Sequence, residues 1–263
     1  MSAGPDVRRL WVFDFDGTLS PIVPDRAAAR LHPASLALLK DLSRDPRSRV
    51  AVLSTRTLED LVPRIPVREA ILGASSGLDW RVPGGRRVLA GESARNRLDA
   101  ARAGAFPLLE RLGAVAGVEI EDKRWSAAVH YRHVSPETMP ALVPLFEDLG
   151  RCPGVRVYSG PMVAEVQFLP SVNKAFGLRL LCRFLRFEAG RDRLFYAGDD
   201  ENDAVAMRWV LARNGTVFAV GKLVRVPGAL AVSGPSALAR AVRAQMGGPG
   251  SAPDAGEGGE RAG

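Results

Sequence analysis

Cysteine is nearly absent: Cys152 and Cys182 are the two thiols in 263 residues. Neither belongs to a CxxC spacing or has a histidine nearby, so a disulfide framework, a zinc site and a dithiol redox centre all lack the residues they need. The pair reads as structural thiols in a reducing compartment. Long apolar runs are missing too. None approaches the roughly 18 residues of a membrane span, and MSAGPDVRRL has no apolar core of a secretory signal. The expected address is the cytoplasm. Also lacking is any run of bases interleaved with aromatics, although Lys and Arg outnumber Asp and Glu by 36 to 29 and the pI is near 10.1. Arginines scattered in this way fit a small anionic ligand better than nucleic acid, and neither nucleic acid nor a membrane is expected as a partner. No internal repeat is present.

What remains is an ordinary globular composition, 46% hydrophobic and 25% charged, in a chain long enough for one large unit or two modest ones. RRLWVFDF, RVAVLS, EAILGAS, RLFYAGD and TVFAVG are short apolar runs bounded by polar or glycine-rich turns. PASLALLKDL, TLEDLVPRI, FGLRLLCRFLRF and PSALARAVRAQM carry apolar residues at helical spacing. Alternation of the two predicts an α/β core with a Rossmann-like parallel sheet. The middle differs: a hairpin at WRVPGGRRV, a long helix, and strands joined by short turns. It predicts an inserted α+β domain with an antiparallel sheet. Boundaries are drawn at 1–77 and 161–246 for the core and 78–160 for the insert, the strand 162–168 being attributable to either unit. The Gly, Pro and Ala tail 247–263 is expected to be disordered.

Chemistry concentrates at strand ends. In VFDFDGTLS, Asp14 and Asp16 face the same way on an extended segment at the carboxyl end of the first strand, where open α/β sheets bind ligands. Gly17 and Thr18 then turn the chain with free N–H groups suited to an anion. Alone, the pair is compatible with a capped turn or with the metal site of a glycosyltransferase. After the second strand come Ser54, Thr55 and Arg56, which fit either a helix cap or a cradle for phosphate oxygens. Lys174 opens a helix, where a cation opposes the helix dipole, so it needs an anionic partner or solvent. GDDEND places Asp199, Asp200, Glu201 and Asp203 within five residues, a crowding that a cation would relieve; Mg²⁺, which takes a few carboxylates and keeps its waters, suits it.

Together these four segments resemble, in order, the motifs of the haloacid dehalogenase superfamily of aspartate-nucleophile phosphatases. The resemblance implies that Asp14 is the nucleophile and Asp16 the general acid and base. It implies that Ser54, Thr55 and Lys174 bind the phosphoryl group, and that Mg²⁺ is held by Asp14, Asp16 and Asp199 with Asp200 and Asp203.

The strands of the insert show period-two alternation with one polar side: Glu119, Glu121 and Lys123 on the first, His130 and Arg132 on the second, Glu165 and Gln167 on the last. That is either a solvated sheet face or a surface for a polyhydroxylated sugar. GASSGLDW, EDK, VHYR and AEVQ resemble the cap of trehalose-6-phosphate phosphatases. The resemblance implies hydrolysis of trehalose 6-phosphate, with Glu121, Lys123 and Glu165 on the glucose hydroxyls and Arg56, His130 and Arg132 as further substrate contacts. It also implies a separate trehalose-6-phosphate synthase as supplier of the ester. Thr55, Asn173, Ala175 and GDDEND depart from the usual pattern of that family, which leaves room for sucrose 6-phosphate or a hexose phosphate, or for a phosphosugar mutase.

Overall fold

The structure, a computed structural model, describes residues 8–89 and 92–246; the tail 247–263 lies outside the described residues. In chain order the elements are β1 (Arg9–Phe13), α1 (Pro33–Arg44), β2 (Ser48–Leu53), α2 (Leu58–Leu61), β3 (Ile71–Ala74), β4 (Asp79–Arg81) and β5 (Arg87–Leu89). Next come α3 (Glu92–Gly113), β6 (Glu119–Asp122), β7 (Ser126–His130), α4 (Leu142–Arg151), β8 (Val155–Gly160) and β9 (Val163–Phe168). The chain closes with α5 (Lys174–Phe184), β10 (Arg193–Gly198), α6 (Glu201–Leu211), β11 (Thr216–Val220), β12 (Leu230–Val232) and α7 (Pro235–Met246).

β1 sits inside an eight-stranded sheet of order β12-β11-β10-β1-β2-β3-β4-β5, parallel from β12 through β3. Strands of such a sheet are covered on both faces, which is why their sequences are continuously apolar. Trp11 and Phe13 enter the cluster under α1, α2 and α7, while Leu10 and Val12 enter the one under α5 and α6. β10 repeats the division: Phe195 stacks on Trp11 with ring centroids 3.6 Å apart, and Leu194 and Tyr196 point the other way. The chain runs outward from β1 in one direction and returns to β10 on its other side. That reversal opens a crevice between their carboxyl ends, the usual ligand site of a doubly wound sheet.

The hairpin at WRVPGGRRV forms with Gly84 and Gly85 in the left-handed region, but it is not part of the insert. β4 pairs antiparallel with β3, and Trp80 and Val82 pack in the same cluster as α5. The boundary expected at residue 78 therefore falls too early, and the one at 160 falls between two paired strands. Turn chemistry shows that two strands form a hairpin; which sheet edge they join depends on where their apolar side chains find cover.

β6-β7-β9-β8 form the second sheet, antiparallel throughout. Ala127, Val129, Val166 and Phe168 pack under α3 and α4 with Leu98, Leu109, Leu142 and Leu149. The opposite face carries the polar residues. Among the described residues no helix is long and apolar enough to cross a membrane.

Candidate active site

Because side chains alternate along β1, Asp14 falls on the side of Val12, toward α5 and α6. There it is 4% exposed and its N–H donates to the Ala197 carbonyl of the neighbouring strand at 2.9 Å. Lys174, at the first turn of α5 and 2% exposed, places its Nζ 2.8 Å from Asp14 Oδ1 and 2.6 Å from Asp203 Oδ1. This is the anionic partner its position demands. Burial works against the ammonium, but Asp14, Asp203 and Asp200 outweigh it and hold the proton more firmly than usual.

α5 comes this close because its Gly177 packs on the turn at Ser76 and Gly77, where side chains would collide. Ser75 and Ser76 adopt left-handed backbone there, so GASSGLDW is the seat of the helix that carries Lys174.

Asp203 is wholly buried. Its Oδ1 accepts from Lys174 and from the Tyr196 hydroxyl at 2.7 Å, and its Oδ2 accepts from the backbone N–H groups of Asp199 and Asp200 at 3.2 and 3.3 Å. Asp200 closes a reciprocal capping box at the start of α6: its Oδ1 accepts from the Asp203 N–H at 3.1 Å, and its Oδ2 accepts from the Asn202 amide at 3.0 Å. It is thus turned toward the helix it caps. Asp199 faces the crevice, with the Thr18 hydroxyl 3.4 Å from its Oδ1. Gly17, at φ +75°, leaves no room for a Cβ beside that carboxylate.

Asp14, Asp199 and Asp203 each offer an oxygen within 4.8 Å of the others. Fully ionised, three buried carboxylates facing one ammonium would leave two negative charges unbalanced, and the protein answers by holding protons on them. Burial pushes Asp14 well above the carboxylate range against the pull of Lys174. Asp199 is pushed up to about 7, by burial first and then by Asp203 and Asp200. An all-oxygen donor set with that charge deficit fits a hard divalent cation.

The remaining expected residues divide between those the fold brings to the crevice and those it does not. Ser54 is fully buried just after β2; its N–H donates to Gly73 O at 2.8 Å and its Oγ accepts from the Arg56 N–H at 3.1 Å, which leaves the hydroxyl proton for a ligand. Thr55 lines a cavity of about 480 Å³ together with Lys174, and Lys123 and Glu165 line the same cavity from the polar face of the small sheet. Lys123 Nζ donates to Glu165 Oε2 at 3.1 Å and Ser126 Oγ to Glu165 Oε1 at 2.5 Å. Glu121 stands beside Lys123 at 3.7 Å, and His130 lies 3.8 Å from Glu121; neither lines the cavity. Arg132 is not on the strand face at all, because β7 ends at His130 and Arg132 is an exposed turn residue. Arg56 is 3% exposed, does not line the cavity, and is paired with Asp16 and Asp60. Burial would loosen its proton, but hydrogen bonds to those two carboxylates bind it more firmly.

Three contributors escaped the sequence reading. Arg156 alternates with Val155 and Val157 on β8, a pattern that would have shown it facing the cavity, whereas Tyr196 lies in the continuously apolar β10 and only the fold shows its hydroxyl meeting Asp203. Arg26 also lines the cavity and donates to Thr55 Oγ1 at 3.0 Å, from a 3-10 turn of three residues, too short to show a periodicity. Both thiols stay apart from the carboxylate cluster: Cys182 is buried in the core and Cys152 half-buried under the small sheet.

A doubly wound sheet with paired acids after β1, a buried lysine, an acidic loop after β10 and a second antiparallel sheet facing them defines the haloacid dehalogenase class of folds. Within it, the chain belongs to the trehalose-phosphatase family, whose profile matches residues 12–238. It is 36% identical over 215 residues to a trehalose-phosphate phosphatase of Mycolicibacterium paratuberculosis, covering 81% of this chain and 54% of that protein. The chain spans about half the length of such relatives. Among solved structures it is similar to the Aspergillus fumigatus trehalose-6-phosphate phosphatase, with a TM-score of 0.63, 25% identity, and 90% of this chain and 92% of that one covered. A Candida albicans trehalose-6-phosphate phosphatase C-terminal domain shares the fold at a TM-score of 0.64 and 22% identity, with 91% and 92% covered.

Proposed function

We propose that this chain hydrolyses trehalose 6-phosphate to trehalose and inorganic phosphate through a phosphorylated Asp14. The observation that carries the reading is the single cavity whose one side holds Thr55 and Lys174 beside Asp14, and whose other side holds Lys123 and Glu165 on a polar sheet face. One side suits a phosphoryl group and the other suits sugar hydroxyls.

In the first step an Asp14 carboxylate oxygen attacks phosphorus. The ester P–O bond breaks, and Asp16 gives its proton to the departing sugar oxygen. In the second, Asp16 takes a proton from water, whose oxygen attacks phosphorus. The bond to Asp14 breaks, phosphate leaves and both residues return to their starting state. Lys174, Ser54 and Thr55 bind the phosphoryl oxygens, and Lys174 balances charge as it builds.

Asp14, Asp199 and the Asp16 carbonyl would hold Mg²⁺, with Asp203 and Asp200 fixing the loop behind. When bound, the ion offsets the repulsion between carboxylate and phosphate. Asp203, with four donors already on its carboxylate, acts by holding Lys174 and the Asp199 backbone.

Residues 8–89 and 169–246 would form the catalytic unit and 92–168 a cap whose polar face reads the sugar and excludes water on closing. Its sugar contacts would be Lys123 and Glu165, with Glu121 and His130 at the rim.

The test is Mg²⁺-dependent phosphate release from trehalose 6-phosphate beside sucrose 6-phosphate, glucose 6-phosphate and mannose 6-phosphate, with Asp14→Asn as the blank. A strong preference for the trehalose ester, abolished in the blank, is the expected outcome. Preference for another ester would keep the chemistry and overturn the sugar. Formation of a phosphosugar isomer instead of free phosphate would make the chain a mutase.

A further inference from the structure

Arg56 occupies the position from which a substrate contact was expected, yet its guanidinium is already committed to the protein. Nε donates to Asp16 Oδ2 at 2.8 Å and one terminal nitrogen to Asp16 Oδ1 at 2.6 Å, a bidentate pair. That same nitrogen reaches the Arg26 carbonyl at 2.6 Å, and the other donates to Asp60. Four of its five N–H groups are thereby engaged, and Phe15 packs on the guanidinium 5.3 Å from its ring centre. Asp60 is itself held on its other oxygen by Arg64 at 2.7 and 3.0 Å, and Arg64 donates onward to the Ala29 carbonyl at 2.6 Å. The chain of contacts ties the segment after Asp16 to the start of α2. The Asp16 and Asp60 carboxylates are each 37% exposed where Arg56 is 3%, and Arg26 approaches Asp16 Oδ2 at 4.0 Å.

We propose that Arg56, braced by Asp60 and Arg64, is the positioning residue that aims the Asp16 carboxyl group at the leaving oxygen and at the attacking water. The proposal rests on the phosphatase reading above. An exposed aspartate turns freely between rotamers, and proton transfer needs it within hydrogen-bond reach of a defined oxygen. A two-bond clamp on the inner edge leaves the outer edge of the carboxylate to carry the proton in one orientation.

The experiment is stopped-flow and steady-state kinetics of Arg56→Gln on trehalose 6-phosphate and p-nitrophenyl phosphate, with circular dichroism to establish folding. Nitrophenolate leaves without a proton, so transfer to Asp14 should stay within about threefold of wild type, while release of phosphate, which needs Asp16 as base, slows by about 10- to 100-fold. The expected signature is a burst near one nitrophenolate per protein followed by slow turnover. On the sugar ester kcat falls by a similar factor with KM changed by no more than about threefold.

A raised KM with kcat intact would make Arg56 a substrate ligand and overturn the proposal. So would equal loss of burst and turnover, which would mark a purely structural role. Should Arg56→Gln not fold, Asp60→Asn removes only the brace and should show the same burst with about a 3- to 10-fold slower second phase; an unchanged ratio of burst to steady rate there counts against positioning. If the wild type hydrolyses neither ester, the phosphatase reading fails and this proposal with it.

Discussion

The two sides of the cavity carry similar charges and hold them in opposite ways. On the side of the large sheet, Lys174 and Asp203 are almost fully buried, every oxygen of Asp203 has its donors, and α5, α6 and β10 fix the backbone behind them. On the side of the small sheet, Lys123 and Glu165 are joined at 3.1 Å but stay 23% and 34% exposed, and at the rim Glu121, 61% exposed, meets Lys123 and His130 only at 3.7 and 3.8 Å, where solvent screens most of the attraction. Dipoles and charges aimed before the substrate arrives are what stabilise a transferring phosphoryl group, because they need not reorganise during the reaction. A sugar offers many weak, adaptable hydrogen bonds, and a surface that reads it can afford loosely held groups that settle on contact. On the phosphatase reading proposed above, the chemistry falls to the buried side and the selectivity to the more exposed one.

The contrast breaks first at Gly17. Gly17→Ala would push a Cβ into the Asp199 carboxylate from a left-handed backbone position, and displacing a reacting group by about 1 Å costs about 100-fold in rate. Turnover of trehalose 6-phosphate and p-nitrophenyl phosphate should drop together; loss on the sugar ester alone would contradict the division. On the other side, Glu165→Ala or Lys123→Ala removes a charged hydrogen bond worth about 1.5–3 kcal/mol, so sugar-ester kcat/KM should fall about 10- to 100-fold. The aryl ester should be untouched within about twofold, and parallel loss on both would show that these residues serve the chemistry.

A smaller effect comes from titration. With Asp199 pushed up to about 7 in the metal-free chain, the folded state keeps a proton that the unfolded chain, with an ordinary carboxylate pKa of about 3.9, has lost. Stability without metal therefore falls as pH rises from about 4 to 7. A divalent cation competes with that proton and with the one burial favours on Asp14, so Mg²⁺ affinity followed by thermal melts should rise with pH from about 4 to 7, by up to about tenfold per pH unit for each proton displaced. A flat profile throughout would mean that Asp199 is not a ligand.

The smallest effect compares the thiols. Burial pushes Cys182 up to about 11, so iodoacetamide at about pH 8, where thiolate is the reactive form, should label the half-buried Cys152 alone and leave aryl phosphate turnover unchanged. Labelling of Cys182 at a similar rate, read by mass spectrometry, would show that the core opens as readily as the small sheet.

Much of this was legible beforehand because strand ends and period-two alternation are local. Asp14 and Asp199 had to lie at the carboxyl ends of parallel strands, and the separation of Glu165 from Val166 followed from the pleat. Lys174 at a helix start announced that an anion stood near it. Partner choice was not legible. Arg56 follows Ser54 and Thr55 like a ligand-binding group, but Asp60 one helical turn later and Asp16 forty residues earlier hold it instead. Asp200 reads as a metal ligand, yet it sits at an N-cap and closes on Asp203 three residues on.

The sequence by itself determined the alternation of elements and the placing of acids, hydroxyls and a lysine at strand and helix ends, because both follow from residue type and spacing along a few consecutive positions. Only the tertiary structure decided that Asp14, Asp199 and Asp203 gather around one point, that Arg56 belongs to Asp16, and that the hairpin of β4 and β5 extends the large sheet. Each of these is a competition among partners far apart in the chain, settled by burial: a charged or apolar group goes where packing lets its demand be met most completely.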